Sequence, residues 1–359
     1  MNTAFHPGAI WPDNKGVHIN AHGGGVLAHQ GTYYWFGEHK VAGEAGNKAE
    51  VGVHCYSSID LYNWSDEGIA LAVSDDPKSD ITRGSILERP KVIYNELTAT
   101  FVMWFHLELK DQGYRAARAG VAISKSPAGP YTYLESFRPN AGIWPVNVRE
   151  DQKHIPAGIG DKSFSGATND EVKKTNILGR DFTGGQMARD MNLFVDDDGT
   201  AYHMFASEEN STMHISELTK DYRKPAGRYV RVFEHRWMEA PALFKRNGRY
   251  YMIASDCTGW APNAARSMSA ASIFGPWTEL GNPCSGVNPE NGMGPEKTFG
   301  GQSTCVLQLP GRDAYIAMFD IWRPKDAIDG RYVWLPIEFT SDGFRITWRD
   351  SWDMAAFTI

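Results

Sequence analysis

The sequence predicts an all-β protein, a five-bladed β-propeller, and three observations carry that prediction. A short apolar strand, a polar turn and a second, aromatic-rich strand recur five times along the chain. Aromatic residues are abundant, with 12 Trp, 15 Tyr and 17 Phe among 359 residues, as pleated surfaces favour. Sustained helical periodicity is missing, so long helices are not expected.

The five copies, in order, are VLAHQGTYYWFG from Val26, VIYNELTATFVMWF from Val92, LFVDDDGTAYHMFA from Leu193, LFKRNGRYYMIAS from Leu243 and VLQLPGRDAYIAMF from Val306. Each turn is polar and most contain Gly, as hairpins require. A third strand is expected after four of them, in GVHCYSSIDLYNWS, GVAISKSPAGPYTY, TMHISELTKDYRK and RSMSAASIFGPWTE. Units of three or more strands repeated in this way suggest propeller blades in one domain spanning residues 1–359. The copies are irregular, which leaves a β-sandwich as the weaker alternative. The polar, Gly-rich stretch from about Pro139 to Gly185 is expected to be a long loop or lid between blades two and three. The DDDG run, Asp196 to Gly199, resembles a calcium loop but has no downstream Glu at the right spacing, and fits a hairpin turn better.

Composition excludes several function classes. The chain is 42% hydrophobic and 22% charged, with a formal charge of −7, which argues against a nucleic-acid surface. No segment reaches the ~18 consecutive apolar residues of a membrane span. The N-terminus lacks a basic-then-apolar signal pattern. The protein is therefore expected in the cytoplasm, or outside the cell or in the periplasm if an export signal has been removed. Cys55, Cys257, Cys284 and Cys305 show no metal-ligand spacing; buried thiols are expected, with a Cys257–Cys284 disulfide open if the protein is exported.

In a propeller the residues entering the innermost strands face one shared funnel. His22, Glu88, Glu239 and Gln302 stand four residues before the first apolar residue of their copies, and Asp190 stands three before. Converging carboxylates suit glycoside hydrolysis, in which one acid protonates the leaving oxygen and an opposing group activates water or attacks carbon. A neighbouring carboxylate keeps that acid protonated near neutral pH. Each residue alone also has a structural reading: Asp190 as a turn cap, Glu88 and Glu239 as surface partners of Arg89 and Arg236. Their shared register favours the site. Glu38, Tyr114, Asn210, Thr258 and Trp260 follow predicted strands and are candidate sugar contacts, Trp260 as a stacking surface. His22 could hold a cation or water on the axis; a hydrogen-bonded structural histidine is the alternative.

The strings RDMNLFVDDDGTAYH, EAPALFKRNGRYYMIAS, CTGWAPNAA, GPWTELGNPC and GQSTCVL, in this order, resemble glycoside hydrolase family 43. The resemblance runs from about His18 to Trp352. It implies a five-bladed propeller that inverts anomeric configuration, with Glu239 as general acid and Asp190 as the residue tuning its pKa. The family's blade-one Asp base is missing, for Gly23, Gly24 and Gly25 occupy its string. This departure is similar to the exo-β-1,3-galactanase branch of the family, and it implies that Gln302 handles the water and Glu88 binds sugar. The expected substrate is an oligo- or polysaccharide, a β-1,3-galactan such as an arabinogalactan backbone. An α-L-arabinofuranosidase or β-D-galactofuranosidase, or a sugar-binding propeller without turnover, are the alternatives. No cofactor is expected to be required, a structural calcium is left open, and a monomer is expected.

Overall fold

A computed structural model of the chain describes residues 1–157 and 169–357. It is a ring of five antiparallel blades. Blade one holds β1 (His22–His29), β2 (Thr32–His39), β3 (Gly52–Ser58) and β4 (Ser65–Ala72). Blade two holds β5 (Ile86–Asn95), β6 (Thr100–Glu108), β7 (Arg118–Ser124) and β8 (Thr132–Phe137). Blade three holds β9 (Met191–Val195), β10 (Ala201–Ser207), β11 (Thr212–Leu218) and β12 (Pro225–Val232). Blade four holds β13 (Met238–Arg246), β14 (Arg249–Asp256), β15 (Arg266–Ala270) and β16 (Trp277–Gly281). Blade five holds β18 (Gln302–Gln308), β19 (Tyr315–Ile321), β20 (Arg331–Thr340) and β21 (Gly343–Thr347), with the two-residue β17 (Cys284–Ser285) running parallel outside β21. The innermost strands touch in the sequence β1, β5, β9, β13, β18 and back to β1, which closes the ring.

Turn chemistry builds the hairpins as the sequence predicts. Gln30-Gly31 and Asn247-Gly248 both adopt positive φ at the two central positions, the conformation that matches strand twist in a two-residue hairpin. Asp196 to Gly199 is likewise the β9–β10 turn, and Lys245 binds both Asp196 and Asp197. Aromatic side chains fill the wedges between blades. Trp35, Trp64 and Trp334 are almost fully buried, and Trp11 and Phe5 complete the cluster joining blades one and five. Phe5 also stacks on Trp352 at 4.3 Å, fastening the two chain ends together.

The segment between blades two and three carries α1 (Asn169–Lys174), α2 (Ile177–Arg180) and no strand among its described residues. Its ends meet where the Gln186 N–H donates to the Pro139 carbonyl at 2.7 Å. It lies along the outer strands of blade three, with Val146 N–H donating to the Tyr229 carbonyl and Asn140 donating to Ser216 Oγ. None of its described residues lines the central cavity, so that part of it does not form a lid; residues 158–168 of the segment lie outside the described residues. All four cysteines are free thiols, so Cys257 and Cys284 are not bonded to each other.

Candidate active site

The inner strands begin earlier than their apolar residues suggest. His22, Glu88, Glu239 and Gln302 lie within β1, β5, β13 and β18, and only Asp190 precedes its strand. Shortly after each of the first four residues the ladder with the second strand shifts register, between His22 and Gly25, Glu88 and Lys91, Glu239 and Ala242, and Ser303 and Cys305. A bulge of this kind re-aims a side chain and breaks the alternation that marks a strand in sequence. In three blades the next residue is left-handed: Gly23, Arg89 and Ala240, at φ of 63°, 56° and 54°.

Each of those three backbone N–H groups donates to a carboxylate of the neighbouring blade. Gly23 binds Asp320 Oδ2 at 2.6 Å, Arg89 binds Glu38 Oε1 at 3.0 Å, and Ala240 binds Asp190 Oδ2 at 3.1 Å. The bulges thus orient a set of acids around the axis. Left-handed Arg89 and Ala240 carry backbone strain, a common feature of functional sites.

Glu38, Glu88, Asp190 and Glu239 border a cavity of about 370 Å³, whereas Asp320 does not line it. Glu239 is half-buried, and its Oε1 accepts from Asn210 Nδ2 at 2.6 Å. Burial, and then the charge of Asp190, push its carboxyl up to about 7. Asp190 forms a 2.8 Å ion pair with the Arg89 guanidinium. Arg89 also donates to Gln302 Oε1 at 2.6 Å and to the Ser303 carbonyl at 3.2 Å. Trp322 Nε1 donates to the same Gln302 oxygen at 2.9 Å, while Gln302 Nε2 lies 2.9 Å from Ser255 Oγ. Arg and Trp are donors only, so the orientation of the Gln302 amide is fixed.

Glu88 sits in a different electrostatic setting. Tyr114 donates its hydroxyl proton to Oε1 at 2.6 Å, and His106 Nδ1 lies 2.9 Å from Oε2 in an ion-pair contact. The other ring nitrogen of His106 meets Glu108 Oε1 at 2.9 Å. Burial alone would lower His106, but Glu108 and Glu88 outweigh it and hold the ring charged, up to about 10. Burial would likewise raise Glu88, yet His106 holds it down at about 2. Glu88, His106 and Asp190 lie close enough together to suggest a metal site. Each already has a partner within the protein: the two ring nitrogens of His106 meet Glu88 and Glu108, and Asp190 pairs with the Arg89 guanidinium.

Glu38, Tyr114, Asn210 and Trp260 line the cavity with Glu88, Asp190, Glu239 and Gln302. Thr258 does not. Its hydroxyl donates to the Ala261 carbonyl and accepts from Asn263, closing its own loop. Trp260 is 43% exposed and packs edge-on against Trp322 at 5.7 Å. His22 is fully buried against Tyr332, and burial holds it well below the usual histidine range. Arg236, the surface partner considered for Glu239, pairs with Glu279 instead.

The sequence missed Arg89, His106, Asp320 and Trp322. Arg89 is not a surface partner of Glu88; it is buried and serves Asp190 and Gln302. Asp320 ends a run of apolar residues in AYIAMFD, and an acid at the end of such a strand is the signal that could have exposed it. The three glycines are also explained. A Cβ on Gly23 would collide with Glu38 Oε1, one on Gly24 with the Phe36 carbonyl, and one on Gly25 would come within 2.8 Å of Lys91 Cδ. They allow close approach of side chains and of β2, and no phosphate cradle is present at this run.

The sequence profile of "Glycosyl hydrolases family 43" matches residues 169–320. A solved family 43 β-1,3-galactosidase with galactodeoxynojirimycin is 49% identical, with 98% of this chain and 100% of that one covered and a TM-score of 0.90. The exo-β-1,3-galactanase of Phanerochaete chrysosporium, solved with β-1,3-galactotriose, is 32% identical over 98% of this chain and 68% of that one, at TM-score 0.77. The exo-β-1,3-galactanase of Clostridium thermocellum is 34% identical over 97% and 66%, at 0.76. A curated relative, a β-D-galactofuranosidase of Aspergillus niger, is 29% identical over 109 residues, and the chain spans 31% of its length. Near-full-length identity to a family 43 enzyme, on the same ring of blades, establishes that this chain belongs to glycoside hydrolase family 43 and is a glycosidase.

Proposed function

We propose that the protein is an inverting exo-glycosidase releasing galactose from the non-reducing end of β-1,3-galactans. The observation that carries this reading is Glu239, a carboxyl raised to about 7 beside Asp190. A sugar-binding propeller without turnover has no need of an acid kept protonated near neutrality. The galactose assignment rests on the likeness to β-1,3-galactosidases and exo-β-1,3-galactanases. The cavity volume is at the small end of the ~300–1,000 Å³ usual for ligand pockets. It suits a terminal sugar and its neighbour better than a long internal segment. Lys40 and Asn47, hydrogen-bonded to each other, and the exposed Trp260 also line it.

In this mechanism Glu239 protonates the leaving oxygen, and Asp190, fixed by Arg89 and the Ala240 N–H, keeps that proton in place until it is needed. Glu88, ionised and anchored by Tyr114 and His106, accepts hydrogen bonds from hydroxyls of the terminal sugar. Trp260 offers an apolar face to the sugar beyond the scissile bond. The protein works as a single-domain monomer on a saccharide, without nucleic acid and without a required cofactor. Its place of action is outside the cell or in the periplasm if an export signal is removed, and otherwise the cytoplasm.

The first test is the configuration of the product. On β-1,3-galactobiose or an aryl β-galactoside, proton NMR during early turnover is expected to show α-galactose before mutarotation. First-formed β-galactose would require a covalent intermediate and overturn the inverting mechanism. The likeness to a β-D-galactofuranosidase supports a second reading. Faster turnover of an aryl β-D-galactofuranoside than of the galactopyranosides would favour it.

Gln302 is proposed to position the attacking water. Its oxygen already accepts two hydrogen bonds, so only its Nε2 can reach the water, as a donor. Gln302→Ala is expected to lower kcat by about 10²–10⁴-fold, whereas Gln302→Glu, whose oxygens can still accept from Arg89, Trp322 and Ser255, retains part of the rate. Turnover and thermal midpoint measured on the same preparations check this. Near wild-type turnover in folded Gln302→Ala would remove the role.

A further inference from the structure

We propose that Glu38 is the general base, supplying from β2 the carboxylate that the first strand of blade one lacks. The inference rests on the inverting reading above and identifies the group that takes the proton from water.

The case begins at Gly23. A side chain there has no room, because the space it would enter already holds the Glu38 carboxylate: a Cβ on residue 23 would meet Glu38 Oε1, with Glu38 Cδ at 3.3 Å. A short acid on residue 23 would place its own oxygen in that space. Glu38 reaches it from the neighbouring strand, where His22 pairs with Glu38 across β1 and β2. The absence of an acid from Gly23 to Gly25 is therefore not the absence of a carboxylate from blade one.

Position on the ring supports the assignment. Blade one touches blades two and five, and blade four touches blades three and five. Glu38 on blade one and Glu239 on blade four are thus non-adjacent and border the same cavity. Inversion requires a base and an acid on opposite faces of the sugar, with water between base and ring.

The remaining groups are poorly suited to accept a proton. The Gln302 oxygen has both acceptor positions filled by Arg89 and Trp322. An imidic tautomer would put a proton on that oxygen, facing those two donors. Glu88 is engaged by Tyr114 and the charged His106, which makes it a weak base. Asp190 is paired with Arg89. Glu38 pairs with Lys40 Nζ at 2.5 Å from Oε2, and Lys40 opposes the upward push that burial, and then the charge of Glu88, give its carboxyl; Oε1 takes one backbone hydrogen bond, from Arg89, and keeps a second acceptor position. Gln302 and Glu38 share neighbours. Trp322 lies 3.4 Å from the Cβ position at residue 23, and Arg89 binds both residues. In the step, Glu38 Oε1 takes a proton from water as the water oxygen bonds to the anomeric carbon. The bond from that carbon to the leaving oxygen breaks, its electron pair goes to the leaving oxygen, and Glu239 protonates that oxygen.

Azide rescue tests the assignment on an aryl glycoside that the wild type turns over, so that failure of the galactan reading appears separately, as no wild-type turnover of galactosides. Glu38→Ala is expected to lose about 10²–10⁴-fold in kcat. Sodium azide should restore at least part of it by forming a glycosyl azide of configuration opposite to the substrate, visible by NMR. Glu38→Gln, which keeps the acceptor for Arg89, should fold, lose kcat similarly and lose the acidic limb of its pH profile. A folded Glu38→Ala enzyme that stays within tenfold of wild-type kcat, or that loses activity without forming the azide, overturns the proposal. So does azide rescue of Gln302→Ala alone. If Glu38→Ala does not fold, kcat within tenfold in Glu38→Gln is the overturning result, and loss of kcat together with the acidic limb is the supporting one.

Discussion

Glu239→Gln is expected to abolish turnover of natural galactosides while leaving sugar binding and the fold intact. The amide is isosteric and can still accept from Asn210 Nδ2, so the contact at 2.6 Å survives. What is lost is the proton. An acid contribution of about 10²–10⁴-fold should disappear for a poor leaving group and shrink strongly for an activated aryl glycoside. The pH profile adds a second readout. Burial and Asp190 raise the Glu239 carboxyl to about 7, and it must be protonated to act. Wild-type activity should therefore be present below that value and fall as pH rises through it. This basic limb should vanish in Glu239→Gln. Equal, severe losses on natural and activated substrates would instead assign Glu239 another role.

Arg89→Met is expected to be the most damaging single change in both stability and rate. Its guanidinium binds Asp190, Gln302 and the Ser303 carbonyl, and it is buried. Removing one partner of a buried ion pair costs about 3–5 kcal/mol, here by leaving Asp190 without a counter-charge. Gln302 would lose one of the two donors that orient its amide. Arg89 also opposes the upward shift of Glu239. In whatever fraction folds, the basic limb of the pH profile should therefore move to higher pH. Arg89→Lys separates charge from geometry, since an ammonium keeps the charge without the planar fork that serves two partners at once. Chemical denaturation and pH–rate profiles of both variants check these effects. A Met variant of wild-type stability would show that Asp190 finds another partner or becomes neutral.

The sequence by itself determined the architecture. Five strand pairs with turn residues at the right places, and aromatics in numbers that wedge-shaped interfaces absorb, lead to five blades without further information. It also brought out one polar residue per blade at a common register, because a closed ring makes residues far apart in sequence converge. Glu88, Asp190, Glu239 and Gln302 border one cavity for that reason. What remained hidden was the set of partners that gives each acid its character. Glu88 and Glu239 look alike in sequence, yet one is held at about 2 by His106 and the other at about 7 by burial and Asp190. Those partners come from second strands and neighbouring blades, positions fixed only when the ring closes. The same holds for the bulges after His22, Glu88 and Glu239, whose backbone N–H groups bind carboxylates one blade away. The three glycines show the division most plainly. In sequence, Gly23 to Gly25 register as a missing acid. Only the packed structure brings the Glu38 carboxylate into the space those glycines leave, because contact across a strand pair depends on register and bulge geometry that residue order does not encode.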